Sequence, residues 1–282
     1  MLNAEDFKRA ILAIDTLGAT PSVLAKVIEL TKDPNSDIET ICALLRTDGP
    51  LAADIIRLSN SPYYAPATFQ TTLNAAVNYI GLREAMRVVY LSLSRQLFAR
   101  DLTSYGVSAQ DYWSDSVAAA LLSEALAKHS GLNAEDAFSL GILHAIGRVL
   151  INRVIDEKGF SIYWHGQQPI EEWERAAVGF DFAEAGAMLL EQWHFPASTC
   201  DLVRWQLTPD KVTQQVSLLG ALQFTIRLLA LTGSDFAKPD WRFPETDPFV
   251  QASGLNHEKV SQIISKCRDD YQCLLQSMDL NG

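Results

Sequence analysis

The stretch Leu140-Gly141-Ile142-Leu143-His144-Ala145-Ile146-Gly147-Arg148 is the most informative part of this chain. It is apolar except for His144 and the arginine at its end. Asn133 precedes it with the side chain of a helix N-cap, and Gly159 follows it as a helix terminator. These residues predict one helix from about Asn133 to Lys158. The run from Gly141 to Gly147 is expected to pack into a protein core.

Helix-starting signals recur on both sides of that stretch. Capping side chains precede apolar positions at helical spacing, and prolines or glycines separate the segments. The predicted starts are Thr20-Pro21, a capping box at Ser36–Glu39, Pro50, Thr72, Ser108, a capping box at Asp181–Glu184, Pro196 and Pro209. Gly81 is predicted to break a helix, and Phe160–Trp164 is the only short strand candidate. The pattern therefore predicts an all-α fold.

Composition excludes several classes of function. The 282 residues are 48% hydrophobic and 20% charged, which is typical of a globular protein. The net charge of -11 argues against broad nucleic-acid binding. The acidic N-terminus does not resemble a signal peptide, and no uninterrupted apolar run is long enough to span a membrane. Four scattered cysteines indicate reduced thiols in a cytoplasmic protein.

Two segments predict boundaries within the chain. Asp101 to Gln110 is polar and contains a glycine, and the segment 233–248 contains three prolines. We expect an N-terminal helical subdomain over residues 1–106 and a second helical subdomain over 107–232. A proline-containing loop and a helix from His257 to about Met278 complete the chain over 233–282.

Several motifs occur in an order that matches a known family. They are Leu17-Gly18-Ala19-Thr20-Pro21, Thr47-Asp48-Gly49-Pro50-Leu51, Arg57-Leu58-Ser59-Asn60-Ser61 with Tyr63-Tyr64, Ala75 to Leu82, Trp113 to Ser116 and Ala137 to Gly147. From about Leu17 to Ala230 the chain resembles the HDOD domain, a regulatory branch of the HD superfamily of metal-dependent phosphohydrolases. The resemblance implies a multi-helical HD-like fold with an N-terminal helical layer and a C-terminal extension. It also implies a bacterial cytoplasmic signalling role.

The resemblance also shows where a metal site would lie. Active members of the superfamily hold one or two metals through His and Asp side chains, which activate a water for phosphoester attack. With Asp at position 145 the central run would contain their His-Asp pair, but the residue here is alanine. Other ligand positions differ too. We interpret Asp115, His144, Ala145, Phe182, Trp205 and Gln206 as a vestigial pocket with no catalytic residue, metal or cofactor.

Four arginines are candidate anion contacts. Arg148 follows His144 by one helical turn, and Arg204 lies near Gln206. If a small nucleotide or another anion still enters the pocket, these two arginines are expected to contact it. Arg83 and Arg87 share a helix face and could also hold an anion, although a solvated face is the simpler interpretation.

Two functional hypotheses remain at this point. The first is a non-catalytic HDOD-type signalling protein that contacts a partner protein or a ligand, with no nucleic-acid or membrane partner. The second is a divergent metal-dependent phosphohydrolase acting on a nucleotide or cyclic nucleotide. The number of altered ligand positions favours the first.

Overall fold

The computed structural model describes residues 9, 20–32, 36–208, 217–238 and 241–277. These ranges contain no strand, and one isolated antiparallel bridge joins Leu102 to Val107. The predicted all-α fold is confirmed. The helices are α1 (Thr20–Lys32), α2 (Ile38–Leu45), α3 (Gly49–Ser59), α4 (Leu73–Ile80), α5 (Leu82–Leu97), α6 (Ala109–His129), α7 (Ala134–Leu143), α8 (Gly147–Glu157), α9 (Ile170–Val178), α10 (Phe182–Gln192), α11 (Ala197–Trp205), α12 (Leu218–Thr232), α13 (Pro248–Ser253) and α14 (His257–Ser277).

Helix α6 lies at the centre of the fold. It packs against α7, α12 and α14, and most of its side chains between Tyr112 and Ala127 are buried. A helix that is apolar on most sides is typical of a core position. Helices α1 to α5 pack on one another, and α5 also contacts α7. The domain boundaries at residues 106 and 232 stay predictions.

The predicted helix over residues 133–158 is two helices, so that prediction was wrong. Helix α7 ends at Leu143 and α8 begins at Gly147. Between them Ile146 N donates to Leu143 O at 3.1 Å, and Arg148 N donates to Ala145 O at 2.9 Å. Each of these hydrogen bonds joins residues three apart, whereas an α-helix joins residues four apart. The turn is therefore tighter than an α-helix and interrupts the α-helical hydrogen-bond pattern. His144 therefore lies at a helix end.

The two glycines that flank this turn permit close helix contacts. A Cβ atom at Gly141 would lie 2.6 Å from Ala119 O on α6, and one at Gly147 would lie 2.0 Å from Phe182 O on α10. Both distances are far below van der Waals contact. The glycines therefore let α7 and α8 approach neighbouring backbone, in line with the packing role expected for this run.

Most predicted helix starts are confirmed, and one is displaced. The side chains of Thr72, Ser108 and Asn133 accept hydrogen bonds as N-caps, and Asp181 with its downstream glutamate forms a capping box. At α2 the N-cap is Asp37, one residue after the predicted start, and its carboxylate accepts from Thr40 N at 2.7 Å. An aspartate carboxylate accepts hydrogen bonds from the free backbone amides of a first helical turn as readily as a serine hydroxyl does.

Gly81 breaks the chain between α4 and α5, as predicted. Its φ of 83° lies in the region that glycine adopts without steric strain. Phe160–Trp164 is irregular rather than a strand, and Trp164 N donates instead to Ser104 O at 2.8 Å. The short helices α9 and α13 were not predicted. Predictions at Leu17–Ala19, Pro209 and Met278 lie outside the described residues.

One helical stretch, Ala134–Glu157, is long and apolar enough to cross a membrane. Of the most apolar 18 residues in this stretch, 78% are buried inside the protein, and the turn at His144 interrupts the stretch. A buried core helix meets the same criteria of length and composition. We therefore assign this stretch to the core.

Candidate functional site

A cavity of about 590 Å³ opens where α6, α10 and α12 meet the turn between α7 and α8. Its wall includes most of the residues that the resemblance grouped as a pocket: Asp115, His144, Ala145, Phe182, Gln206 and the candidate anion contact Arg148. A volume of this size is ordinary for a small-molecule site. The fold thus brings together side chains that are 91 residues apart in sequence, from 115 to 206.

The structure does not bring the other two predicted residues to the cavity. Trp205 and Arg204 are absent from its wall. Arg204 Nη2 instead lies 2.5 Å from Glu191 Oε1 at the surface. Successive residues on a helix point in different directions, so proximity in sequence to Gln206 does not bring either side chain to the same cavity.

The His144 ring is held as a neutral imidazole. Nδ1 lies 2.7 Å from Gly141 O, and a carbonyl oxygen only accepts, so Nδ1 carries the proton. Burial lowers the pKa of His144 to about 4, and the positive charge of Arg148 acts in the same direction. At neutral pH, Nε2 therefore has a free lone pair and can only accept a hydrogen bond.

The Gln206 amide is fixed in one orientation. Its Nε2 donates to His144 O at 2.7 Å and to Val203 O at 2.9 Å. A flipped amide would place its oxygen against two carbonyl oxygens, so the orientation is determined. Oε1 is buried and has no hydrogen-bond partner among the described residues. A buried acceptor left unpaired costs about 1–3 kcal/mol.

Asp115 lies at the exposed side of the cavity. Its Oδ1 accepts a hydrogen bond from the Ser234 hydroxyl. Partial burial raises the pKa of this carboxyl, although the bond from Ser234 opposes the rise. The side chain is thus an acceptor at the cavity rim.

Arg148 is paired with a buried carboxylate. Its Nε lies 3.8 Å from Glu174 Oε1, and the guanidinium lies 4.3 Å above the centre of the Phe182 ring. Glu174 also accepts from Tyr105 Oη at 2.9 Å and from Phe182 N at 2.8 Å. Burial raises the pKa of Glu174 to about 7, and Arg148 partly opposes this rise.

Glu174 was missed in the sequence because it stands in an acidic run on α9. Its helical spacing gave a signal: Ile170 and Val178 lie four residues away on either side and share its face. Glu174 is completely buried, and Val178 is also buried. An acidic residue on an apolar helix face is a reason to expect a buried partner.

Arg83 and Arg87, the other two candidate anion contacts, lie in a different cleft. Arg87 Nη2 is 2.7 Å from Glu124 Oε2, and its guanidinium lies 4.7 Å above the centre of the Phe138 ring. Its side chain is 10% exposed, so the solvated-face interpretation was wrong for Arg87. Arg83 is well exposed and pairs with Glu135 at 2.9 Å. Both residues already have carboxylate partners.

The residues of the cavity do not fit a metal centre. Over the part of the chain that the structure describes, no three His, Cys, Asp or Glu side chains are grouped to hold a metal ion. Of the predicted pocket residues, Asp115 and His144 carry side chains that commonly bind metals, and Ala145 and Phe182 contribute no donor atom. A divalent cation at a catalytic site needs several such ligands at once. No step can be assigned to a metal here.

The all-α fold, with its cavity beside the turn at His144, is that of a multi-helical HD-like domain. The chain belongs to the HDOD domain family, which it matches over residues 17–209. A curated relative, an uncharacterized protein of Treponema pallidum (strain Nichols), is 24% identical over 225 residues, or 77% of this chain. The chain covers 43% of that relative's length.

Solved structures share the fold at low sequence identity. An HDOD domain protein of unknown function from Geobacter sulfurreducens has a TM-score of 0.70 at 19% identity, and the match covers 97% of both chains. A protein described as a candidate phosphohydrolase from Shewanella amazonensis SB2B has a TM-score of 0.66 at 21% identity, with 95% of this chain and 97% of that one covered. A candidate signal transduction protein from Marinobacter aquaeolei VT8 has a TM-score of 0.69 at 20% identity, covering 98% of this chain and 65% of that one.

Proposed function

We propose that this chain is a non-catalytic signal-transduction protein of the HDOD type, which acts through contacts with a partner protein or a small ligand. The observation that carries the proposal is the position of Ala145. Its methyl group lies in the cavity wall beside His144, where the superfamily has a metal-binding carboxylate. A methyl group cannot coordinate a cation, and Phe182 and Gln206 also occupy positions where the family often has histidine.

Other features support the wider setting of this proposal. The four cysteines are free thiols, as in a reducing cytoplasm. The net charge of -11 disfavours nucleic acid as the partner. The similarity to a candidate signal transduction protein of Marinobacter aquaeolei agrees with a bacterial signalling role.

Metal analysis and a hydrolysis assay test the proposal. We expect purified protein incubated with manganese and then desalted to hold well under about 0.1 metal ion per chain, because one histidine and one engaged aspartate make a weak site. We also expect no manganese-dependent hydrolysis of nucleotide or cyclic nucleotide phosphoesters above the rate of a protein-free blank.

Two variants sharpen this experiment. Ala145→Asp restores the carboxylate of the pair, yet we expect it to stay metal-free because Phe182 and Gln206 remain in place of histidines. His144→Ala is the matched control for any metal that does bind. Stoichiometric metal and hydrolysis in the natural chain, both lost in His144→Ala, would show that the protein is a phosphohydrolase and refute the proposal.

A further inference from the structure

A long segment without charged side chains reaches the surface of this acidic protein. From Leu58 to Leu82 the sequence contains no Asp, Glu, Lys, Arg or His, although one residue in five of the whole chain is charged. Within residues 62–82 only Leu73, Ala76 and Val77 are buried. The other residues of 62–82 reach the surface, and together they form what we call the uncharged face.

Two aromatic side chains are exposed on the uncharged face. Phe69 is 75% exposed, which is the largest value among the exposed large hydrophobic residues that the structure describes, and Tyr79 is 44% exposed. Burying a phenyl ring against a partner removes a large apolar area from water. The centres of protein interfaces are rich in aromatic residues and poor in charged ones. The uncharged face therefore has the composition of an interface centre.

The loop that carries Phe69 is fixed by hydrogen bonds on both sides of this residue. Asn60 Nδ2 donates to Gln70 O at 2.9 Å, and Gln70 N donates to Asn60 Oδ1 at 2.7 Å. Tyr79 Oη donates to Tyr64 O at 2.8 Å, which joins α4 to the start of the loop. A partner that contacts Phe69 does not have to order this loop first, so the entropic cost of association is reduced.

The side chains around Phe69 favour a second copy of this chain as the partner. In a two-fold symmetric contact, residues near the axis face their own copies, so any charge there would meet the same charge. Hydroxyl and amide side chains each hold donors and acceptors, so they can pair with themselves. Those of the uncharged face include Thr68, Gln70, Thr71 and Asn78. A partner of another sequence could match charged residues with opposite charges and would not require their absence.

The size of the uncharged face is suited to a weak dimer. Residues 62–82 number 21, and three of them are buried, so 18 reach the surface. Stable interfaces of standard size use about 20–30 residues from each partner. The net charge of -11 on each copy also opposes association. Both features predict a dimer that dissociates reversibly, at protein concentrations on the order of 10–100 μM.

We propose that the uncharged face is a self-association surface, through which two copies of this chain form a reversible, two-fold symmetric dimer. Phe69 of each copy lies near the axis and packs against the other copy, because it is the most exposed apolar side chain of the face. The hydroxyl and amide side chains around it pair across the contact. This inference goes beyond the proposed signalling function and does not depend on the metal content of the cavity.

Sedimentation velocity of the full chain tests the proposal. Over protein concentrations from about 1 to about 200 μM, we expect the sedimentation coefficient to rise from the monomer value towards the dimer value. The contact contains no ion pair, and the two acidic copies repel each other. Raising the NaCl concentration from about 50 to about 500 mM screens this repulsion, and we expect it to tighten the dimer several-fold.

Three variants locate the contact. Phe69→Glu and Phe69→Lys each bring two like charges together at the axis, and each is expected to weaken the dimer at least about tenfold. An equal mixture of these two variants should associate again, because Glu of one copy then meets Lys of the other. Phe160→Glu is the matched control, since Phe160 is 46% exposed on the loop after α8, outside the uncharged face. It should change the dissociation constant by less than about twofold.

Several outcomes would overturn the proposal. A chain that stays monomeric at every concentration would leave the uncharged face to a partner of another sequence. A dimer that Phe69→Glu does not weaken, or that weakens as salt is added, would place the contact elsewhere. A mixture of the Glu and Lys variants that stays monomeric would exclude the symmetric contact of Phe69. Urea unfolding of both variants is expected to match the natural chain, so that lost association is not attributed to lost structure.

Discussion

Replacing Gly147 by alanine is expected to lower the free energy of unfolding by about 3 kcal/mol or more, at the upper end of the effects of overpacking. The added Cβ would lie 2.0 Å from Phe182 O and 2.5 Å from Gly186 N. Both of these atoms belong to the backbone of α10, so no side-chain rotation can relieve the overlap. The helices α8 and α10 must separate, and that separation removes buried contacts along their interface.

Urea unfolding of Gly147→Ala and two comparison variants measures this effect. Gly49→Ala is the matched control, because a Cβ there has no atom within 4 Å, and we expect its stability to change by less than about 0.5 kcal/mol. Gly186→Ala should fall between the two, since its Cβ would meet the side chains of Val203 and Ile146 at 3.1 and 3.2 Å. Equal stability of Gly147→Ala and Gly49→Ala would contradict the close approach of α8 to α10.

Local signals predicted much of the helical framework. Capping residues such as Ser108, Asn133 and Asp181 act on amides two or three residues away, so their effect can be recognised in the sequence. The break at His144 could not be recognised in the same way. Nothing in the local apolar run ends a helix, and the turn lies where Gly147 closely approaches α10, more than 30 residues further along the chain.

The same distinction applies to the site. The family resemblance identified His144, Phe182 and Gln206, and the structure places all three on one cavity wall. It could not identify the pairing of Arg148 with Glu174, because that pairing depends on the packing of α9 against α8.

Glu174 also makes the stability of the protein depend on pH. Raising the pH from about 5 to about 8 is expected to destabilise the natural chain, relative to Glu174→Gln, by on the order of 3 kcal/mol. Burial raises the pKa of this carboxyl from 4.5 to about 7 in the folded chain, and Arg148 only partly opposes the rise. The folded state therefore binds the proton more tightly than the unfolded state does. The resulting stabilisation is fully present below pH 4.5 and is lost as the pH rises through about 7.

Glutamine at position 174 keeps the shape of the side chain and an acceptor for Phe182 N, but it has no proton to lose. Unfolding free energies of both proteins, measured by urea denaturation at several pH values, give the contribution of Glu174 as a difference in which the titration of other groups cancels. Glu191→Gln is the matched control. That carboxylate is 53% exposed and pairs with Arg204 at the surface, so the same difference should change by less than about 1 kcal/mol. If the curves for the natural chain and Glu174→Gln run parallel between pH 5 and 8, the Glu174 carboxyl does not titrate in this range, and its burial beside Arg148 does not raise its pKa.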